Sequence, residues 1–236
     1  MENILHYPTS CIVDRVVPKT MFYKFMEVNP RMKTRFVNDV VSITWLYKLS
    51  AATMNVTDSA EMKEIEVFVA QLKQPDCPPD LFSFIDQNMP HHIVFILLHG
   101  DNAMLLINYK QWVASPNGSP PHQGGGREGV FRITQSFTSP WVSIPELSLS
   151  VDGQSLPRIY DNFVAQVSGI GEHKAGNLAE IVELKKKIAA AEAELKTLQA
   201  KVRKEPQFNV QMEMNKKVKA KRKELETLKS NLDKLK

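Results

Sequence analysis

A chain of 236 residues, 43% hydrophobic and 24% charged, has the size of one ordinary domain plus an appendage and the composition of a soluble globular protein. The net charge of +4 hides a split: residues 171–236 carry 17 Lys and Arg against 10 Asp and Glu, which leaves 13 against 16 for the first 170. A mildly acidic body with a basic tail points to an acidic partner for the tail, either nucleic acid or protein. The chain's longest apolar runs, such as "IVFILL" at 93–98, are far short of the roughly 20 residues a bilayer span needs.

"MENILHYPTS" lacks a basic segment followed by a long apolar run, so no signal peptide and a cytoplasmic location are expected. Pro18 opens a helix over "KTMFYKFMEV", Asn29-Pro30 breaks it, and "RMKTRFVNDV" reads as a second helix. "VVSITWLYKLS" (40–50) is rich in β-branched and aromatic residues and reads as a strand. "ATMNV" is expected as a short strand and "EIEVFVAQLKQ" (64–74) as another. "PDCPP" is a turn, and Asp80 is the expected N-cap of a helix over "LFSFIDQNM".

"HHIVFILLHGDNAMLLINYKQ" predicts a hairpin turning at Gly100-Asp101, its first strand apolar throughout and so covered on both faces. "SPNGSPPHQGGGREG" (115–129) is a flexible loop, "VFRITQSF" a strand, and "SLPRIYDNFVAQVSGI" a helix that closes the domain. The expected fold class is α+β over residues 1–170: an antiparallel-leaning mixed sheet with flanking helices.

The tail, 176–236, predicts an antiparallel helical hairpin. Ile181, Leu184, Ile188, Ala191, Leu195, Leu198 and Val202 recur at spacings of 3 and 4, a coiled-coil seam. Pro206 interrupts it. Met214, Val218, Lys221, Leu225, Leu228, Leu232 and Leu235 then resume the same rhythm. Folding back at Lys204–Gln207 would place Glu192 and Glu194 near Lys217 and Lys219, and Lys185–Lys187 near Glu224 and Glu226. Lys216, Lys217, Lys219, Arg222 and Lys223 form a dense cationic patch outside the seam. The patch is either a solvated face or a contact for phosphate or an acidic protein. With no aromatic residue among these cations, base stacking is not expected.

Catalytic signals are weak. A helix, three strands, a helix and a strand over 31–98 would match a restriction-endonuclease-like core, in which carboxylates and a lysine hold and serve a divalent metal. The third strand offers only Gln71-Leu72-Lys73, and Asp58, Glu61, Glu64 and Glu66 precede it without convincing placement. "GGGREG" lacks the Lys-Ser/Thr of a phosphate loop and precedes a strand. His91-His92 stands at a strand start with no acid at ligand spacing, and Ser10-Cys11 has no identifiable base. Cys11 and Cys77 sit in no CxxC or His/Cys cluster, which gives no support for a zinc site. Trp45, Trp112 and Trp141 read as packing residues. No catalytic residue, metal ligand or cofactor is therefore assigned.

"VVSITWLYKLSAATMNV", "EIEVFVAQLKQ", "DQNMPHHIVFILLHGDNAMLLINYKQ", "LPRIYDNFVAQV" and "EPQFNVQMEMNKKVK" resemble an uncharacterised bacterial family classed as a domain of unknown function. Where this chain has Gln71-Leu72-Lys73, that family commonly has Glu-Leu-Lys; the 115–129 loop also departs from it. The resemblance implies a setting beside helicases and DNA methyltransferases in restriction and phage-defence loci. The expected function is a non-enzymatic accessory subunit of a DNA-directed defence complex, docking through body and hairpin. The alternatives are a divergent or degenerate metal-dependent nuclease using Lys73, or a protein that binds the DNA backbone through the basic hairpin. Self-association is also open, since a seam serves a hairpin or a dimer equally.

Overall fold

The computed structural model describes residues 3–76, 79–114, 129–169 and 178–235. The chain divides into two compact units, Met1–Glu172 and His173–Lys236.

The body is a mixed α+β unit built on one seven-stranded sheet. Strands β1 (Ile12–Val16), β2 (Val40–Ser50), β3 (Glu64–Leu72), β4 (His92–His99), β5 (Asn102–Ala114) and β6 (Gly129–Thr138) lie in sequence order across it. A two-residue strand, β7 (Val142–Ser143), pairs with the start of β5. Every pair is antiparallel except β3 with β4. The chain between those two must return to the same end of the sheet, which demands a crossover. Helix α4 (Asp80–Asn88) supplies it. The β4–β5 turn is the expected Gly100-Asp101, with Gly100 at φ +58°, a conformation the hairpin turn requires and glycine adopts without steric cost.

Helices α1 (Lys19–Phe25), α2 (Pro30–Asp39) and α4 cover one face. Phe22, Phe36, Phe82 and Leu81 from these helices pack on Ile43, Phe68, Ala70, Phe95 and Leu97 of the sheet. A row of rings crosses it: Trp45 stacks on Phe68, Phe68 meets Phe95, and Phe95 meets Phe82, with centroids 6.3, 6.2 and 5.1 Å apart. Helix α5 (Leu156–Ser168) covers the other face, where His92 of β4 meets the edge of Tyr160 at 4.5 Å. Ser155 caps α5 by accepting from the Arg158 amide, and Gly169 ends it at φ +67°. With a helix on each side, β4 is buried from His92 to Leu98, as its unbroken apolar run predicted.

Two local expectations change. "ATMNV" is not a strand: Ala51–Met54 forms a single helical turn, α3, capped reciprocally by Ser50 and Thr53. The Ser-x-x-Thr capping pattern and two alanines outweigh the β-branched residues downstream. Asp80 is not the N-cap of α4 but its first residue, with Pro79 at the cap; its carboxylate is held by Arg35 at 3.1 Å. Loop residues 115–128 lie outside the described residues.

The second unit is a hairpin of two helices, α6 (Leu178–Lys204) and α7 (Phe208–Leu235), joined by Glu205-Pro206-Gln207. Proline cannot continue α6 and fixes the break. Ile181, Ile188, Ala191, Val218 and Leu232 are buried in the seam, and Leu184, Leu195, Leu198, Val202, Met214, Leu225 and Leu228 are half-buried. The side chain of Leu235 lies outside the described residues. The cross-helix pairs differ from the symmetric expectation. Glu194 takes Lys221 at 2.6 Å and Glu192 takes Lys229 at 2.8 Å, so both glutamates reach past Lys217 and Lys219. Lys187 approaches Glu183 of its own helix at 4.0 Å. The seam sets the register, and long charged side chains then find whichever partner lies along the axis.

Candidate functional site

On the hairpin, Lys216, Lys217, Lys219, Arg222 and Lys223 are all exposed. They occupy the middle of α7, on either side of the buried Val218. Lys221, next to Arg222 and two positions from Lys219 and Lys223, behaves differently. Its side chain is only 18% exposed and sits between Glu194 and Glu224, at 2.6 and 3.1 Å. Of this cationic run, Lys221 joins the two helices while the other five face solvent.

At the far end of β3, Lys73 donates to the Val37 carbonyl at 2.8 Å, and its amide donates to the Asp39 carbonyl at 2.9 Å. The Asp39 and Asp80 carboxylates are both engaged by Arg35. With α3 in place of the expected strand, only β2 and β3 lie between α2 and α4. Asp58 pairs with Lys63 at 3.1 Å. Among the described residues, no group of three potential metal ligands gathers around Lys73.

The opposite end of β3 holds what sequence spacing did not find. Glu64 and Glu66, two apart on a strand, share one face. The parallel register sets Ile65 beside His92 and so brings His91 alongside Glu64. Ligand atoms of Glu64, Glu66 and His91 all lie within 4.8 Å of one another. His91 Nε2 is 2.8 Å from Glu64 Oε1, and Lys48 of β2 pairs with the same Glu64 carboxylate. The acid that His91 lacks nearby in sequence comes from the neighbouring strand. The available signal was Glu-x-Glu opening one strand and a histidine just before the strand parallel to it.

Glu66 also lines a cavity of about 440 Å³, walled by Val16, Met21, Phe25, Trp45, Phe68 and Met89, with Arg15 the other charged group in its lining. The Glu66 residue is 5% exposed, and its Oε2 is buried without a hydrogen-bond partner. Burial, with Glu64 adding to it, pushes this carboxyl up to about 7. Phe25 and Val16 at the cavity are 69% and 64% exposed, leaving an apolar patch on the body's surface.

Of the remaining candidates, Ser10, Cys11, Trp45 and Trp141 make packing or backbone contacts. Cys11 is buried, with Sγ 3.0 Å from Met54 Sδ, and Ser10 donates to the Thr53 carbonyl; together they hold α3 to the N-terminal segment. Trp45 and Trp141 pack against the core. Cys77 and the Trp112 side chain lie outside the described residues. Among the described residues, no helix is long and apolar enough to cross a membrane.

Compared with known proteins, the chain finds no match among curated proteins or solved structures. A family described as "Domain of unknown function (DUF4391)" matches residues 5–225, which take in the sheet, both sets of covering helices and most of the hairpin. The chain belongs to the DUF4391 family.

Proposed function

We propose that this protein is a cytoplasmic, non-enzymatic adaptor whose helical hairpin docks on an anionic partner. The observation that carries this reading is the division of labour along α7. Lys221 and the apolar seam close the hairpin, while Lys216, Lys217, Lys219, Arg222 and Lys223 are left to solvent. A hairpin that needed its cations for its own fold would have paired them. The exposed apolar patch at Val16 and Phe25 gives the body a second docking surface, suited to a larger protein. The setting that the resemblance implies is a restriction or antiphage defence complex, with helicase or DNA methyltransferase subunits as the partners to test.

The test is affinity purification from the native locus with the native chain and a variant in which those five cations are replaced by Glu. Capture of locus-encoded helicase or methyltransferase subunits by the native chain, and their loss from the variant, is expected. Equal capture by both removes the hairpin from the interaction.

The same five exposed cations favour a second reading, contact with the DNA backbone. It requires sequence-indifferent binding that weakens steeply with salt, by about 0.9 in log–log slope for each phosphate neutralised. Fluorescence anisotropy of a labelled duplex across a salt series separates the two readings. A flat, weak response leaves the protein partner; a steep one lost in the charge-reversed variant assigns the patch to DNA.

A further inference from the structure

We propose that Glu64, Glu66 and His91 form a binding site for a divalent transition-metal cation of the Zn²⁺ class. The three ligand atoms already lie within 4.8 Å of one another. A tetrahedral cation with bonds of ~2.0–2.1 Å holds its ligands roughly 3.4 Å apart, so the site closes by small side-chain rotations and no backbone movement. Glu64 and Glu66 lie on β3 and His91 immediately precedes β4, its parallel neighbour in the middle of the sheet, so two of the three ligands stand on the rigid kind of element that holds a metal geometry.

Glu66 is the independent sign. A carboxyl 5% exposed, with a buried oxygen lacking any hydrogen-bond partner, must keep a proton or take a cation, because an unpaired buried charge is too costly. Lys48 acts on this carboxyl only through its field and does not bond to it; its ammonium pairs with Glu64. One imidazole and two carboxylates form a mixed nitrogen and oxygen set, which suits Zn²⁺ or its first-row neighbours better than Mg²⁺ or Ca²⁺, whose sites are built from oxygen. The cavity that Glu66 lines leaves room for a fourth ligand beside the cluster. Lys48 enters as a competitor: its ammonium occupies the Glu64 carboxylate that the metal would share, so its removal frees a ligand.

The test titrates ZnCl₂ into the EDTA-treated, full-length protein by calorimetry, with thermal melts of the same samples. A single Zn²⁺ per chain is expected, with a melting temperature that rises on loading. Glu66→Gln and His91→Ala should each weaken binding at least roughly tenfold and lose the Zn²⁺-dependent rise. Lys48→Met should bind more tightly than the native chain, a gain that misfolding cannot imitate. Absence of stoichiometric Zn²⁺ binding overturns the proposal and leaves Glu66 as a buried proton carrier. Equal binding by the native chain, Glu66→Gln and His91→Ala places the metal elsewhere and also overturns it. So does a Lys48→Met variant that binds no better than the native chain.

Discussion

The most demanding residue in the body is Lys110 on β5. Its side chain and that of Asp86 on α4 are both fully buried, 2.6 Å apart. The ammonium also donates to the Asp86 and Met89 carbonyls, and Asn108 donates to the other Asp86 oxygen at 2.9 Å. Ser83 and Ser136 complete the network on Asn108. Lys110 thereby ties β5 to the end of the crossover helix and to the chain entering β4, the segment that carries His91. Replacing one partner strands the other charge. Lys110→Met is expected to destabilise the protein by about 3–5 kcal/mol, and Asp86→Leu in the Lys110→Met background to recover much of that loss. Urea unfolding followed by tryptophan fluorescence measures both, and a double variant no better than the single would mean that the pair is not the unit of stability. None of this network was legible in "NYKQ", because nothing within the strand names Asp86 as the partner of Lys110. The same holds for Glu64 and His91. Both pairings depend on which strands α4 brings together, and no spacing within one segment encodes that.

At the scale of elements, legibility followed the range of the interactions that define them. The turn at Gly100-Asp101 and the seam of the hairpin are written within a few residues, and both were readable. Strand β1 was not, because an edge strand exposed along most of its length lacks the apolar alternation that marks its neighbours. The hairpin's register was half-readable. The apolar seam fixed two packed helices, but the ion pairs followed side-chain reach. Lys221 is the instructive position, a polar residue on an otherwise apolar seam between Val218 and Leu225. Such residues pin register at a cost in stability. Lys221→Leu is expected to stabilise the hairpin, since Glu194, at 58% side-chain exposure, loses little by returning to water. The helical circular dichroism signal should then unfold at higher urea. A lower midpoint would show that the Glu194–Lys221–Glu224 bridge stabilises the hairpin more than a leucine contact does.

The whole molecule joins two units of unequal depth. The body is held by a sheet covered on both faces. The hairpin's described seam is thin: only Ile181, Val182, Ile188, Ala191, Val218 and Leu232 are buried among its apolar residues. Two helices of 27 and 28 residues draw most of their stability from that seam rather than from intrinsic propensity, so the hairpin should unfold before the body. The three tryptophans, Trp45, Trp112 and Trp141, all belong to the first unit, which lets two probes separate the transitions. Circular dichroism at 222 nm should show an early loss of helix that tryptophan fluorescence does not follow, and the fluorescence change should come later with the sheet. Coincident curves would mean that the two units unfold as one cooperative body. The separation also locates the adaptor's partner. A partner that binds only the folded hairpin raises the early transition and leaves the tryptophan transition in place. One that docks at Val16 and Phe25 moves the tryptophan transition instead.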